Sequence, residues 1–298
     1  MHIMNTSPKS SNLPKSGLHQ PVLLQAALNY LQVGPSRRYI DATVGTGGHT
    51  AGILSLGGLV LGLDQDPTAL ATCATQEALQ PALASGSLLL ARTNFIRLAT
   101  IAKQHAWLPV DGILADLGLS SVQLDTPIRG FSFQTLGPLD MRMDPDLSIT
   151  AATLVNDLPK KQLAGLLADF GEIPTAATLA NQIIAARPIT TTSALAAICG
   201  KWSRTVFQAL RIAVNDELGS LSALLDQSLD LLAPLGRLVI ISFHSLEDRA
   251  VKRHFSSWAT AGLGEILTPK PVTADFAEVT ANPRSKSAKL RAFMKTKS

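Results

Sequence analysis

The sequence is poor in the residues that mark secreted, metal-binding or membrane proteins. Among its 298 residues are only two cysteines, Cys73 and Cys199, which are far apart and match no metal-ligand spacing. Such cysteine usage fits a reducing cytosol. The apolar runs are far too short to span a bilayer, and residues 1–18 lack the apolar core of a signal peptide, so we expect a disordered leader there. These absences predict a cytoplasmic protein without a membrane anchor.

Aromatic residues make up 5% of the chain and charged residues 16%, whereas 46% are hydrophobic. A chain of this length and composition can bury a large core, as one large domain or two smaller ones. The net charge of +4 is modest, but the segment 284–297 is basic and contains no acidic residue. Such a block can contact phosphates, and on charge alone it can equally be a solvated tail.

The stretch Tyr39–His49 has the pattern of a strand, a tight turn and the start of a helix. The polar and glycine residues that define this turn are Asp41, Thr43, Gly45, Gly47 and Gly48. An α/β sheet builds a nucleotide site in this order at the carboxyl end of a strand, because glycines let a ligand approach the backbone. The spacing differs from that of dinucleotide-binding turns. It resembles the turn of S-adenosylmethionine (SAM) methyltransferases with one glycine replaced by threonine, although an ordinary glycine loop stays open.

Strand and helix patterns alternate along the first part of the chain. Further strands are predicted at 58–63, 87–91, 111–116 and 236–243, and helices at 24–31, 67–79 and 96–105. This alternation predicts a parallel, doubly wound α/β sheet. Residues 125–146 form a long polar stretch, and only helical periodicity follows as far as residue 232. We therefore expect a discontinuous Rossmann-like domain, 19–121 plus 225–298, interrupted by an all-helical insertion, 122–224.

Asp64 ends the second predicted strand, roughly 20 residues beyond the glycine turn, which is the usual place for an acidic residue that binds ribose. A carboxylate there can accept hydrogen bonds from both ribose hydroxyls of an adenosine ligand. The alternative is a turn residue or a helix N-cap, since Pro67 follows closely. The upstream turn favours ribose binding, but it does not separate SAM from NAD.

Asp116 ends the fourth predicted strand. In amino-methylating enzymes this strand end usually carries an acidic, amide or hydroxyl residue followed by Pro-Pro-aromatic, and the Pro-Pro-aromatic part is absent here. Hydrogen-bond acceptors at this place can orient the delocalised lone pair of an exocyclic amine toward a methyl group. Capping of the following turn is the alternative role.

The two cysteines bear on the chemistry. Methylation of a pyrimidine at carbon 5 requires a cysteine nucleophile, and neither Cys73 nor Cys199 follows a predicted strand. Transfer to nitrogen is therefore preferred. No cluster of metal-ligating residues is evident in the sequence, and transfer from a sulfonium needs no metal.

A helix is predicted to begin directly after the last strand. Ser245 and Asp248 fit a capping box, and basic residues at 249, 252 and 253 follow along the helix. Capping leaves His244 and the basic face unexplained, and both could meet RNA phosphate.

Taken together, these motifs resemble the bacterial 16S ribosomal RNA cytosine-N4 methyltransferase family, RsmH or MraW. The matching blocks are 19–24, 41–50, 63–67, 111–125, 129–133, 137–144, 207–218, 242–249 and 282–291. Two departures lie in the insertion: Lys201–Val206 replaces the family's His-Pro-Ala-Thr-Arg, and Ile173–Ala177 replaces basic residues. They concern RNA docking rather than the cofactor site.

The resemblance implies SAM as methyl donor and the N4 amine of a decoding-centre cytosine in 16S rRNA as acceptor. By position, it places the cofactor contacts at Gly47, Gly48, His49, Asp64, Phe95, Asp116 and Gln123. Phe95 would pack on adenine, Asp116 would also be the catalytic residue, and the insertion would recognise RNA. The implied partner is 16S rRNA or the small ribosomal subunit, with no membrane or metal, and a homodimer stays open.

Two other functions are compatible with parts of the pattern. A non-catalytic RNA-binding or assembly factor could retain a SAM fold, although the set of Asp41, Gly45, Gly47, Asp64 and Asp116 argues against a decayed site. A nicotinamide-dependent dehydrogenase would need a different glycine spacing.

Overall fold

The structure, a computed structural model, describes residues 21–297. The predicted leader and the motif residues His19 and Gln20 lie outside this range. The strands are β1 Arg38–Asp41, β2 Leu59–Asp64, β3 Leu88–Arg92, β4 Val110–Asp116, β5 Leu232–Ser242, β6 Gly264–Ile266 and β7 Lys289–Lys295. They form one sheet in the order β3-β2-β1-β4-β5-β7-β6. The first five strands run parallel, and β7 pairs antiparallel with β5 and β6.

Helices cover both faces of the sheet, and a long series of helices connects β4 to β5 along the chain. Before β4 they are α1 Leu24–Leu31, α2 Gly48–Ser55, α3 Pro67–Ala74, α4 Gln80–Ser85 and α5 Leu98–Gln104. Between β4 and β5 they are α6 Ser121–Asp125, α7 Ala151–Asp157, α8 Lys160–Asp169, α9 Ala176–Ala185, α10 Thr192–Cys199, α11 Ser203–Asn215 and α12 Glu217–Leu231. After β5 come α13 Ser245–Thr260 and α14 Phe276–Ala281. The predicted α/β class with helical insertion is confirmed.

Successive strand residues point to opposite faces of the sheet. Because helices bury both faces, the strands are apolar almost throughout. Ile40 and Ile113 face one core, shared with α5, α12 and α13, whereas Tyr39 and Leu114 face the other, shared with α1 and α2. A third core lies within residues 131–214 and is built by α7 to α11. Among the described residues, no helix combines the length and apolarity needed to cross a membrane.

The division of the chain into domains stays a prediction, and its second boundary needs adjustment. Residue 224 falls inside α12, which continues without interruption from Glu217 to Leu231. Leu221, Leu224 and Leu225 of this helix pack into the core of the sheet. The helix therefore belongs with the sheet by packing, although it follows α11 of the insertion directly.

One predicted helix is wrong in its extent. The pattern suggested a single helix from Pro67 to about Leu79, but α3 ends at Ala74. Gln76 leaves the helical path and donates a hydrogen bond from its side chain to the carbonyl of Thr46. This break lets Leu79 turn beneath the glycine turn, where it is fully buried.

Candidate active site

The glycine turn follows β1 at the carboxyl edge of the sheet, as predicted. Gly45 and Gly47 have φ angles of +54° and +91°, and Gly47 is the N-cap of α2. The backbone N–H of Gly45 donates to Asp64 Oδ2 at 2.8 Å. A Cβ atom at Gly47 would lie 2.6 Å from Leu79 Cδ1 and 2.9 Å from Cys73 Sγ. The turn therefore needs glycine at 47 for both its conformation and its close packing.

We expect Gly47→Ala to lower the free energy of unfolding by about 2–4 kcal/mol, because it adds an overlap in a packed core to a positive φ. Gly86→Ala is the matched control. Gly86 has a φ of +75°, but a Cβ there would meet no atom within 4 Å. Urea unfolding of both variants separates the two contributions, and equal losses would show that packing against Cys73 and Leu79 adds nothing.

Asp64 ends β2 and faces the turn. Its two carboxylate oxygens accept hydrogen bonds from the backbone N–H groups of Gly45 and Asp66, at 2.8 and 2.9 Å. The N-cap of α3 is Asp66, whose side chain accepts from Thr68 N, so the capping alternative for Asp64 is wrong. Burial raises the pKa of Asp64 to about 6, against the lowering effect of the bonds from Asp66 and Gly45. Each carboxylate oxygen keeps a lone pair for further donors such as ribose hydroxyls.

Asp116 ends β4, next to β1, and its backbone N–H donates to Thr43 Oγ1 at 2.7 Å. Its side-chain Oδ1 is buried and has no hydrogen-bond partner among the described residues. Its Oδ2 lies 3.7 Å from His49 Nδ1. Burial, followed by the negative charges of Asp41 and Glu247, raises the pKa of Asp116 well above its usual range. The carboxyl is therefore a poorly solvated group that lacks a compensating cation.

A cavity of about 430 Å³ opens at this edge of the sheet. Of the residues predicted as cofactor contacts, it is lined by Gly48, His49, Asp64, Phe95, Asp116 and Gln123. Gly47 does not line it and lies underneath, against Cys73 and Leu79. The structure thus brings six of the seven predicted residues to one cavity, and their roles as ligand contacts stay a prediction.

Gln123 is held rigidly at the wall of this cavity. Its Nε2 donates to Asp66 Oδ2 at 2.9 Å, and its Oε1 accepts from the backbone N–H of Ser120 at 3.0 Å. The same Asp66 oxygen accepts from Arg129 Nη1 at 2.7 Å, and Asp66 is fully buried. Arg129 comes from the loop that leads into the insertion. Sequence reasoning gave neither Asp66 nor Arg129 a role, because their contact joins segments that are distant along the chain.

Part of the cavity lining, here called the aromatic wall, comes largely from the insertion. Phe131, Phe133 and Phe207 line it together with Phe243, which follows β5. The rings of Phe133 and Phe207 pack edge to face, with centroids 5.7 Å apart. Arg204, which lies in the segment that departs from the family pattern, also lines the cavity. A flat ring could lie on this wall beside Asp116.

The helix after β5 begins one residue earlier than predicted. His244 is the N-cap of α13, its Nδ1 accepts from Glu247 N at 3.4 Å, and Glu247 Oε2 accepts from the backbone N–H of Phe243 at 2.8 Å. The predicted Ser245–Asp248 capping box is therefore wrong. Ser245 donates instead to Glu172 on the insertion, and Asp248 pairs with Lys289 and Arg291.

A buried ionic network joins α11, α12 and α13 at the cavity. His244 Nε2 lies 3.2 Å from Glu247 Oε1 and 3.9 Å from Glu217 Oε2. These three residues bring ligand-type atoms within 4.8 Å of one another, a grouping that sequence inspection missed. Arg211 donates to both oxygens of Glu217, at 2.7 and 2.9 Å. With a protonated His244 the two carboxylates are balanced by two cations, so the network is neutral without an added ion.

Protonation of His244 is expected to make stability depend on pH. Burial lowers the pKa of His244, but Glu217 and Glu247 outweigh burial and raise it to about 9. Protonation of His244 Nδ1 breaks the weak 3.4 Å capping hydrogen bond, and the positive charge strengthens the contacts of the ring with Glu217 and Glu247. Because the folded pKa exceeds the unfolded value of 6.5, the stabilisation is complete below pH 6.5 and is lost as pH rises through 9.

We therefore expect His244→Gln to lower the free energy of unfolding by on the order of 3 kcal/mol relative to the parent protein at pH 6.5, and by much less at pH 9.5. Urea unfolding at both pH values measures this difference. The exposed His105 provides a control, since His105→Gln should leave the pH dependence unchanged. A His244→Gln deficit that is the same at both pH values would rule out the proposed charge.

Both cysteines are buried, Cys73 under the glycine turn and Cys199 at the end of α10. Burial raises the pKa of each thiol to about 12, and neither residue lines the cavity. A thiolate nucleophile is therefore lacking at the site, which agrees with the preference for transfer to nitrogen.

The residues around the cavity fit a nucleoside that carries a positive charge. Gly48 and the turn let a ligand approach the start of α2, and Asp64 offers acceptors at the end of β2. NAD would use a similar carboxylate, so Asp64 alone does not decide. The unpartnered Asp116 Oδ1 suits a cationic ligand, and both the sulfonium of SAM and the pyridinium of oxidised NAD are cations. The glycine spacing of the turn is the feature that disfavours NAD.

Comparison with known proteins shows the family of the chain. A family model described as the MraW methylase family matches residues 16–296. Three relatives are named ribosomal RNA small subunit methyltransferase H. The one from Thermomicrobium roseum is 46% identical, with 94% of each chain covered. The relative from Symbiobacterium thermophilum is 44% identical, with 93% of this chain and 96% of the relative covered. The relative from Acidobacterium capsulatum is 43% identical, with 93% of this chain and 98% of the relative covered. This protein belongs to the MraW methylase family, the SAM-dependent methyltransferases that its sequence motifs resemble.

Proposed function

We propose that this methyltransferase transfers the methyl group of SAM to the exocyclic N4 amine of a cytosine in 16S rRNA. The observation that carries the proposal is the shared cavity. Asp116 lines the same cavity as five other predicted cofactor residues and the aromatic side chains of the insertion. A carboxylate in that position can accept a hydrogen bond from an amine whose ring lies on the aromatic wall.

The predicted cofactor residues have distinct roles in this proposal. Asp64 binds the ribose hydroxyls, Phe95 packs on adenine, and the turn residues Gly47 and Gly48 keep the start of α2 open to the ligand. His49 and Gln123 complete the walls, and Gln123 is fixed by Asp66. When bound, SAM supplies a methyl group on a sulfonium, which an amine can attack directly without a covalent enzyme intermediate.

The target base must leave its stack to reach Asp116. Enzymes that act on RNA bases use single-stranded segments or flip the base out, and they hold it by stacking on aromatic side chains. Phe133 and Phe207, which pack edge to face on the insertion, suit that role. This arrangement supports the predicted RNA-recognition role of the insertion.

Basic side chains at the cavity fit an RNA partner, but not every basic residue of the segment 284–297 is available for RNA. Arg284 and Arg204 line the cavity, and Lys286 lies in a neighbouring surface pocket. Arg291, in contrast, is buried in β7 and pairs with Asp248 at 2.6 Å. We assign phosphate contacts to Arg204, Arg284 and Lys286. Arg291 instead has a structural role, so the alternative of a solvated tail does not apply to it.

The proposed partner is 16S rRNA, free or within the small ribosomal subunit, in the cytoplasm and without a metal. Purified protein incubated with SAM and small subunits lacking the modification should produce N4-methylcytidine, detected by mass spectrometry of rRNA nucleosides. Binding of SAM without any methylated nucleoside would favour the alternative, a non-catalytic assembly factor. Methylation at another base or atom would correct the substrate while leaving the family assignment intact.

A further inference from the structure

The Asp116 carboxyl faces a hydrogen-bond acceptor rather than a donor. His49 Nε2 lies 3.0 Å from the carbonyl oxygen of Val22. A carbonyl can only accept, so Nε2 carries the proton. Burial lowers the pKa of His49 to about 4, which leaves the ring neutral at pH 7, so the Nδ1 atom that lies 3.7 Å from Asp116 Oδ2 carries no proton. Two acceptors facing each other are unfavourable unless one of them holds a proton.

The other charged groups around Asp116 increase this demand for a proton. Asp41 on β1 and Glu247 on α13 add negative charge. Three arginines line the same cavity. Arg211 is engaged by both oxygens of Glu217, and Arg284 pairs with Asp125. Among residues 21–297 no lysine or arginine forms an ion pair with Asp116, and its Oδ1 accepts no hydrogen bond. Without a cation beside it, Asp116 is therefore favoured in its protonated form, with the proton on Oδ2 shared with His49 Nδ1.

We propose that Asp116 is the proton acceptor of methyl transfer, ionised when a cation lies beside it and protonated when none does. The proposal rests on the proposed function and adds a role that amine positioning does not require. Binding of a sulfonium expels the Asp116 proton, because two opposite charges in a buried site stabilise each other. Binding of the neutral thioether product, S-adenosylhomocysteine, leaves that proton in place.

The chemical step then balances. The lone pair of N4 forms the new N–C bond, and the S–C bond breaks with its electron pair remaining on sulfur. The substituted amine loses one proton, which passes to Asp116 Oδ2 and is held against His49 Nδ1. The positive charge of the sulfonium, which kept the Asp116 carboxylate ionised, disappears in the same step. The basicity of Asp116 therefore rises when the amine must lose its proton.

Isothermal titration calorimetry tests this linkage in the wild-type protein without any turnover. SAM and S-adenosylhomocysteine are each titrated between pH 5.5 and 8 in buffers of different ionisation enthalpy, and the dependence on buffer gives the number of protons released. We expect about one more proton released per SAM than per S-adenosylhomocysteine on the acidic side of the Asp116 transition, because any change in the protonation of Asp64, whose pKa is about 6, is common to both ligands. In that range a decrease of one pH unit should lower the affinity for SAM up to tenfold more than the affinity for the thioether.

Asp116→Asn should release no more protons with SAM than with S-adenosylhomocysteine, and Asp226→Asn, at an exposed position on α12, should behave as wild type. Equal proton release for the two ligands in the wild type would overturn the proposal, whether or not the Asn variant folds. Failure of both ligands to bind would instead contradict the proposed function. The two failures are therefore distinguishable.

Discussion

Asp116→Asn is expected to lower kcat for methylation of small subunits by about two to four orders of magnitude, the range lost when a positioned acid–base group is removed. The amide keeps the size of the side chain but cannot take a proton from the amine. Its NH2 group also offers a donor where the substrate needs an acceptor. Because the proposed SAM site includes several other residues of the cavity, the variant should still bind SAM.

The measurement is single-turnover methylation with saturating SAM, together with KM for the ribosomal substrate. A loss in kcat with little change in KM indicates an interaction made in the transition state, whereas a rise in KM alone would indicate ordinary substrate binding. Asp226→Asn provides the matched control. Unchanged turnover of Asp116→Asn would remove Asp116 from the mechanism altogether.

Arg129→Met is expected to lower the free energy of unfolding by about 3–5 kcal/mol, because it leaves Asp66 buried without its counter-ion. Asp66 is fully buried and Arg129 is 16% exposed, so water cannot replace the lost partner. Arg129 also donates from Nη2 to the carbonyls of Arg142 and Met143, at 2.9 Å each. Its loss therefore frees the loop that carries the insertion as well as the anchor of Gln123.

Urea unfolding measures this loss, and Arg92→Met is the control. Arg92 joins the cofactor side to the same loop through Asp144 and Asp146, but it does so at the surface, where solvent screens the pair. We expect its unfolding midpoint to stay close to that of the wild type. A similarly small effect for Arg129→Met would mean that the loop rearranges to cover Asp66.

The parts of the fold that sequence predicted well are those with local causes. The five parallel strands were visible as short apolar runs, and the turn at 45–48 was visible because positive φ angles and close packing need glycine. The antiparallel strands β6 and β7 were not predicted, because β6 is very short and β7 begins and ends with lysine. Asp64 and Asp116 were candidates because the carboxyl ends of parallel strands meet at one edge of the sheet. The resemblance to a known family then supplied Phe95 and Gln123, whose residue types alone suggest ordinary burial.

The parts that sequence did not predict depend on contacts between distant segments. Nothing near Arg129 shows that its partner is Asp66, and nothing near His244 shows that Glu217 will lie opposite. The break after Ala74 is of the same kind, because Gln76 leaves the helix to reach Thr46. The cap of α13 was misplaced for a different reason: serine is the common capping residue, and histidine caps here only because Nδ1 faces the N–H of Glu247.

The insertion leaves the sheet at β4 and returns at β5, and these two strands are direct neighbours. The chain must therefore bring together segments separated by residues 117–231 before the edge that carries Asp116 is complete. Closing so long a loop instead of an ordinary crossover costs only about 2 kcal/mol of chain entropy, because the cost grows with the logarithm of length. The penalty appears in time rather than in stability, since non-local strand pairing slows folding. An insertion that folds early on its own core would shorten the effective loop, so the helical region would act as a folding aid for the sheet that it interrupts.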